Sequence, residues 1–557
     1  MTSTTRPVFN QFCEFKSHRL PILILLFLCF WSFFYNTGAI EMDLMEARNL
    51  VTAREIISND NWLVPTMNGD VRLAKPPLPT WFAALVSLTA GGTDDLTLLR
   101  IPNAIAATLL ILFTYGLCWT MSHDRRWALI AAVLLATNVL MIRMGQRATW
   151  DIFCHSFMLG ALWAFVDGVR NNRGWSSFAV CGTLMGLSFM SKGPVSFYAL
   201  LLPFAISYLW VFKPAEAASK WPLIVLAFTL CIVISSLWPL YIWEFHPEAL
   251  LSTMDEETDA WANRHLKPFW YYLKFPAYAG IWLVITLAAL FKPFAEKRLK
   301  ALRNYRFLLL WLVLQVLLLS LIPEKKGRYL LPVMIPLAML GGVLFREIME
   351  RFDQGIQAKG DQWIIALHTS LVSITAIIFP LVLLYHLDQR DMAVSVFFKL
   401  AISAVYLFIV AAAWFLFARK NLPGLFLLTA LQAASISMFF MDSYRVVGIS
   451  NPEYKRMTQI ESSMLPPDIR VVLMENRSGI EFVWDLNRPL HVLPVEQIIE
   501  LLESDATIAV ISTGSPADEL ARKVDGVLTV TTIGRFDYNE DRAKKTKIHL
   551  SLVSLQK

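Results

Sequence analysis

The sequence predicts an α-helical polytopic membrane protein of about 13 transmembrane helices, followed by a small C-terminal α/β domain on the outer side. Three observations carry that expectation. Of the 557 residues, 56% are apolar and 17% charged, where soluble domains run at roughly 45–50% and about 25%. The charge is uneven: 30 of the 115 residues from Ser443 to Lys557 are Asp, Glu, Lys or Arg, against 64 of the 442 before them. The charge-poor part also breaks into long stretches free of all four residue types. Domain boundaries follow at 1–442 and 443–557.

A helix needs about 20 apolar residues to cross the hydrocarbon core. The uncharged stretches run roughly 20–40, 101–122, 127–142, 152–166, 174–191, 193–212, 221–243, 275–291, 307–323, 329–345, 364–387, 400–418 and 421–441, thirteen in all. The first follows Lys16 and Arg19 and has no convincing small-x-small cleavage site, so it is expected to be an uncleaved signal anchor. Leu78–Thr93 is uncharged but short, with Pro76, Pro77 and Pro79 at its start. Counting it as a span would invert everything after it. With thirteen spans and the N-terminus inside, cytoplasmic segments hold 20 Lys+Arg in about 76 residues and outer loops 16 in about 124, as the positive-inside rule asks. The 78–93 stretch is therefore predicted to lie at the outer interface, and an odd span number leaves the tail outside.

The first outer loop, about 41–99, is predicted to hold two surface helices. In its first, Leu44–Ile57, apolar residues at 44, 45, 50, 51, 56 and 57 alternate with Glu46, Arg48, Arg54 and Glu55, the pattern of an amphipathic interfacial helix. The loop at about 244–274 carries Asp255, Glu256, Glu257, Asp259, Arg264, His265 and Lys267 and ends in an aromatic belt, Phe269 to Tyr272. In the tail, 470–474, 507–512 and 548–553 are predicted as strands and 495–503 and 515–524 as helices. The tail contains no nucleotide-binding or nucleophile-elbow motif.

Ionisable residues gather at the outer ends of the spans. Asp43 and Glu46 open the first outer helix, where a carboxylate serves either as general base on an acceptor hydroxyl or as a charge complementing the helix dipole. Arg72 and Lys75 follow the Asn68-Gly69-Asp70 turn, placed to hold a phosphate or to snorkel to headgroups. Asp151 opens the fourth span. Lys192 sits between two apolar stretches with almost no loop, a costly position unless it faces a cavity or a partner. The turn 323–329 packs Lys325, Lys326 and Arg328 before Tyr329 on the side where the positive-inside rule disfavours them. Together Arg72, Lys75, Lys192, Lys325, Lys326 and Arg328 form a candidate phosphate pocket. His265 reads either as a metal ligand with Glu256 or Glu257 or as an ordinary loop histidine. Cysteines at 13, 29, 118, 154, 181 and 231 offer no disulfide framework and no zinc spacing. The net charge of +6, without a basic stripe, gives no reason to expect nucleic acid.

The stretch Met45–Trp81, with RATWD at 147–151, MSKGP at 190–194, HLKPFWYY at 265–272 and KKGRYLLP at 325–332, resembles the lipid-linked-sugar glycosyltransferases of the GT-C type. The nearest groups are the bacterial lipid A aminoarabinose transferases and the dolichyl-phosphate-mannose protein mannosyltransferase-like proteins. The resemblance implies sugar transfer from a polyprenyl phosphate to a lipid A, glycan or protein acceptor, outside the bacterial cytoplasmic (inner) membrane and among its lipids. It places Asp151, Lys192, Lys326 and Arg328 in the donor pocket, with Tyr329 beside them. Two positions depart from it. The family's Asp-Glu pair is Met45-Glu46 here, which leaves Asp43 or Glu46 as base. The family's glutamate before Lys-Pro is Ala74, while Lys75 is retained. In aminoarabinose transferases that glutamate shares a metal ion with the histidine matching His265, so no cofactor is certain and a divalent metal stays an open alternative. The rival readings are a transporter, which tends to carry ionisable groups near the midplane and repeated halves, and an envelope assembly protein.

Overall fold

The computed structural model describes residues 17–389, 395–460, 464–474, 479–504, 507–521, 523, 527–544 and 547–556; Cys13 and Lys16 lie outside them. The chain packs as two compact units. One comprises the chain up to Gly38 together with Leu73–Asp442, the other Ala39–Arg72 together with the chain from Ser443.

The first unit is helical throughout. It begins with α1 (Arg19–Cys29), extended by a π-helical turn over Phe30–Phe34. The outer-loop helix of the second unit, Leu44–Ser58, is α2. Then follow α3 (Leu78–Thr89), α4 (Ile101–Ser122), α5 (Arg125–Ala136), α6 (Val139–Gly145), α7 (Asp151–Arg170), α8 (Trp175–Lys192) and α9 (Leu202–Phe212). The rest are α10 (Trp221–Phe245), α11 (Pro247–Asn263), α12 (Leu283–Leu290), α13 (Leu302–Leu321), α14 (Leu331–Asp353), α15 (Lys359–Gln389), α16 (Val396–Ala418) and α17 (Leu422–Asp442). Among the described residues ten helices are long and apolar enough to cross a membrane, or eleven if the bent pair α5–α6 is one span. That pair turns by 67°. Asn138 makes the break: its side chain accepts from the backbone N–H groups of Leu140 and Met141 and so starts a new helix.

Helix contacts rest on small residues, as expected where lipid removes the hydrophobic drive between helices. On α8, Gly182 and Gly186 stand four apart and face α10. A Cβ at Gly182 would lie 2.2 Å from the Ala227 carbonyl oxygen, and one at Gly186 2.6 Å from the Ile234 side chain. Helix α14 is enclosed, whereas Ile232, Leu237 and Leu240 of α10 and Phe397 of α16 are well exposed, the pattern of surfaces solvated by acyl chains. The far end of α14 joins neighbouring segments through ion pairs: Asp361 takes both Arg298 and Arg351, and Arg346 reaches Asp124 at 2.6 Å.

In the second unit α2 starts at Asp43, whose Oδ1 accepts from the N–H groups of Met45 (2.9 Å) and Glu46 (3.0 Å). A hairpin follows, β1 (Thr66–Met67) and β2 (Asp70–Val71). Asn68 and Gly69 at its tip have φ of 60° and 85°, the left-handed pair that a tight hairpin needs. Glu55 of α2 holds the hairpin, accepting from Thr66 Oγ1 and from the N–H groups of Asn68 and Gly69. The tail contributes β3 (Val471–Leu473), α18 (Ile480–Leu486), β4 (His491–Val492), α19 (Val495–Ser504), β5 (Ile508–Thr513), α20 (Pro516–Leu520), β6 (Val527–Phe536) and β7 (Ile548–Gln556). The strands order β4-β3-β5-β7-β6, with β3 parallel to β4 and β5 and the remaining pairs antiparallel. Val472, Ile498, Leu502, Ile508, Val510, Leu520 and Val553 form the core between sheet and helices. The three strands and two helices expected from the sequence are present; β4, β6 and α18 are additions, and the predicted helix at 515–524 is Pro516–Leu520, with 522 and 524 outside the described residues.

Helix α2 packs on α18 within this unit. The Arg54 guanidinium lies 4.1 Å over the Trp484 ring. The Asn68 side-chain amide donates to the Leu490 carbonyl (2.7 Å) and accepts from its N–H (2.8 Å), pairing as a backbone peptide would.

Candidate active site

The first unit gathers buried charge where the ends of three elements meet. Asp151 is the first residue of α7, Lys192 the last of α8, and Arg328 stands just before α14. Lys192 donates to Asp151 Oδ1, and Arg328 Nε lies 3.9 Å from Asp151 Oδ2. Asp151 is 1% and Lys192 7% exposed, which makes this a desolvated pair rather than a surface one. Beside it, Lys326 pairs with Glu324 at 2.5 Å and the Tyr329 hydroxyl donates to Glu324 Oε2 at 3.0 Å. The Lys192 ammonium sits 5.4 Å from the centre of the Tyr329 ring. Burial alone pushes the Glu324 carboxyl up, but the Lys326 ammonium and the Tyr329 hydroxyl outweigh it and hold it below the usual carboxylate range. Lys325 is buried and gives its ammonium to the Ile322 carbonyl at 2.6 Å; burial lowers its pKa. Among the described residues three cations, Lys192, Lys326 and Arg328, thus pair with two carboxylates, Asp151 and Glu324. The structure places Asp151, Lys192, Lys326, Arg328 and Tyr329 near one another, with Glu324 among them.

The turn is held from outside by backbone bonds. Lys325 N–H donates to the His265 carbonyl at 3.2 Å, Leu266 and Glu324 form an antiparallel bridge, and Lys326 N–H donates to Tyr272 Oη at 3.3 Å. His265 itself has φ of 50°. A divalent metal needs a converging donor set, and among the described residues no three His, Cys, Asp or Glu side chains converge. Glu324, the carboxylate near His265, is already engaged by Lys326 and Tyr329, and Glu257 of α11 pairs with Lys75 at 2.8 Å. These residues do not fit a divalent ion, and no step is derived through one.

An apolar groove of about 440 Å³ runs along α8, α10 and α11, lined by Phe189, Ile232, Pro239, Leu240 and Trp243 with Ser235 and Ser236. Phe189 lies one helical turn before Lys192 on α8.

Asp43, Glu46 and Arg72 belong to the second unit. Glu46 is fully buried. Asp43 is half-buried and caps α2, while Arg72 Nη1 lies 3.4 Å from the Arg48 carbonyl oxygen and 3.2 Å from Met67 Sδ. The two base candidates thus differ in burial, Glu46 enclosed and Asp43 half-buried at the start of the helix.

Residues 74–243 match a family model described as dolichyl-phosphate-mannose-protein mannosyltransferase. The undecaprenyl phosphate-alpha-4-amino-4-deoxy-L-arabinose arabinosyl transferase 2 of Sodalis glossinidius (strain morsitans) is 29% identical over 315 residues, covering 53% of this chain and 54% of that protein. The chain thus spans about half the length of the curated relatives it matches. The crystal structure of ArnT from Cupriavidus metallidurans in the apo state superposes with a TM-score of 0.70 at 15% identity, over 96% of this chain and 97% of that one.

The chain has the ArnT fold.

The form of that ArnT bound to undecaprenyl phosphate superposes with a TM-score of 0.69 at 14% identity, over the same 96% and 97%. An ArnT-like fold, with ten helices among the described residues long and apolar enough to cross a membrane, makes the chain a multi-pass membrane protein that resembles polyprenyl-phosphate-sugar transferases. Glu324 and Tyr272 are neighbours of the cluster that sequence reasoning did not assign, and Glu257, named there only as a possible metal partner of His265, pairs with Lys75. Glu324 stood in the turn it singled out, one residue before the lysines. Tyr272 closes the aromatic run that was assigned to the membrane interface.

Proposed function

We propose that this protein transfers a sugar from a polyprenyl phosphate to an acceptor hydroxyl or amine at the outer face of the bacterial inner membrane. The observation that carries the reading is the cation cluster of Lys192, Lys326 and Arg328 about Asp151 and Glu324, on a fold that also carries an apolar groove between helices. A phosphate bearing a long isoprenoid chain supplies both the missing anion and the apolar tail. The ArnT crystal form holding undecaprenyl phosphate and relatives named for an undecaprenyl-phosphate-linked aminoarabinose donor support the same donor class.

The reaction is an in-line displacement at the anomeric carbon. The acceptor oxygen or nitrogen forms the new bond to that carbon while the bond to the phosphate oxygen breaks, and the acceptor proton passes to Asp43. The leaving polyprenyl phosphate gathers negative charge, which Lys192, Lys326 and Arg328, and Lys75 once released from Glu257, stabilise where it develops. Asp151 keeps Lys192 and Arg328 oriented. In this reading the membrane is crossed thirteen times: the ten long helices, the bent α5–α6 pair, α8 and the stretch Phe197–Phe212, with the tail on the periplasmic side.

The test is a transfer assay on purified full-length protein in lipid nanodiscs. Undecaprenyl-phosphate-linked 4-amino-4-deoxy-L-arabinose and mannose are each offered with lipid A, and products are read by mass spectrometry. A product heavier by one sugar is expected from one donor. Intact donor in every combination, including with a crude envelope extract as acceptor, overturns the reading.

A further inference from the structure

Asp43 is held from two sides, and only one of them is its own helix. On the helical side its Oδ1 caps the first turn of α2 and its carbonyl accepts from Ala47 N–H at 2.9 Å. On the other side the peptide joining Met42 to Asp43 is gripped by the tail: Arg456 Nη1 donates to the Met42 carbonyl at 2.7 Å. The two residues are 414 positions apart in sequence.

The arginine is a fixed part. Its Nε and Nη2 form a two-pronged pair with Asp485 Oδ2 (3.0 Å) and Oδ1 (2.8 Å), the geometry that guanidinium and carboxylate favour. Arg456 is 6% exposed and Asp485 fully buried on their side chains. Tyr538 donates its hydroxyl to Asp485 Oδ2 at 2.5 Å, accepts from Met457 N–H at 3.1 Å, and lies with its ring centre 5.2 Å from the guanidinium. Asp485 itself is on α18, the helix against which α2 packs. Three segments of the tail, at Arg456–Met457, Asp485 and Tyr538, are thus tied together behind the one donor that reaches the carbonyl one residue before Asp43. A hydrophobic contact could seat α2, but only a directed donor fixes the plane of the peptide that precedes the cap.

We infer that Arg456, locked by Asp485 and Tyr538, is a positioning residue for Asp43, so that the tail is part of the proton-abstracting machinery rather than an appended domain. The inference rests on the transferase reading and on Asp43 as base. Arg456 touches no substrate in it; it sets the backbone on which the carboxylate is aimed. A lysine at 456 keeps the charge opposite Asp485 but lacks the planar second arm that reaches Met42.

The experiment uses the full-length protein in nanodiscs, the transfer assay above, and binding of undecaprenyl phosphate alone as a separate readout. Arg456→Lys is expected to lower kcat at least tenfold, with KM for the donor and Kd for undecaprenyl phosphate within twofold of the parent. Arg456→Gln is expected to lower kcat further. In an Asp43→Asn background neither change should lower the residual rate again, because residues acting as one unit are non-additive. Limited proteolysis of the tail reports folding, and Leu502→Ala, in the core between sheet and helices, is the control for a tail weakened elsewhere; its kcat should stay within twofold. A normal kcat in Arg456→Lys, an additive loss on top of Asp43→Asn, or an equal kcat loss in Leu502→Ala overturns the inference while leaving the transferase reading standing. Full activity in Asp43→Asn removes the base assignment, and the inference with it.

Discussion

The two ends of the membrane-embedded unit both carry charge, and they balance it differently. At the far end of α14 the ion pairs engage Arg126, Arg298, Lys300, Arg346 and Arg351 with Asp124, Glu347, Glu350, Asp353 and Asp361, five against five. At the near end, among the described residues, the ion pairs engage Lys192, Lys326 and Arg328 with Asp151 and Glu324, three against two. Opposite charges that match in number at helix ends tie elements together. An excess of desolvated cations is costly by itself and is retained where an anion arrives from outside. The balance of charge, more than its amount, separates a joint from a site.

The strongest way to break that comparison is at the chemistry. Asp43→Asn should lower kcat by about 10²–10⁴-fold, the range for loss of a general base, with donor binding kept; Glu46→Gln should leave kcat closer to the parent and lower thermal stability instead, because Glu46 is enclosed. Normal transfer by Asp43→Asn in the nanodisc assay would remove it as base.

Next in size is the pair at the near end. Asp151→Asn leaves Lys192 and Arg328 without their carboxylate, and removing one partner of a buried pair costs about 3–5 kcal/mol. Asp361→Asn at the far end should cost a similar amount, since it strands Arg298 and Arg351. Thermal unfolding in detergent checks both. The two variants should part company in phosphate binding, which only Asp151→Asn disturbs.

Packing gives a third handle. Gly182→Leu would drive a side chain into the α10 backbone at Ala227, and overpacking costs about 1–3 kcal/mol or more. The melting temperature should fall, and the loss should exceed that of Gly174→Leu, where a Cβ meets open space.

The smallest effect is a pH dependence. Glu324 has a depressed folded pKa, so its pairing with Lys326 contributes stability that is fully present above the unfolded value near 4.5 and is lost as pH falls through the folded value. Melting curves between about pH 5.5 and 7 should therefore show little change from this pair, and the parent should lose stability relative to Glu324→Gln only as pH falls below about 4.5. A parent–variant difference that collapses between pH 6 and 7 would contradict the assignment.

Much of this was legible in the sequence because it is local. Uncharged runs mark helices wherever the chain must satisfy its own backbone in lipid, and Lys192 declared itself by standing in such a run. Lys325, Lys326 and Arg328 did so by breaking the positive-inside pattern. Other features were hidden for equally physical reasons. The α5–α6 bend depends on one Asn138 side chain choosing a cap over a continuous helix. Strand β6, Val527–Phe536, has threonines on an exposed face and no continuous apolar run. Glu324 stands beside two lysines, and nothing in that local run marks its bond from the Tyr329 hydroxyl. Arg456 and Met42 meet across 414 residues, and a single arginine donating to a single carbonyl leaves no periodicity to read.

The most direct measurement of the central claim is the binding of undecaprenyl phosphate to two matched double variants in nanodiscs. Lys326→Gln with Arg328→Gln thins the cation excess at the near end, and Lys300→Gln with Arg346→Gln removes as much charge from the far end. The account predicts at least a tenfold weaker Kd for the first and an unchanged Kd for the second. Equal affinity in the two, or a greater loss in the second, would contradict it.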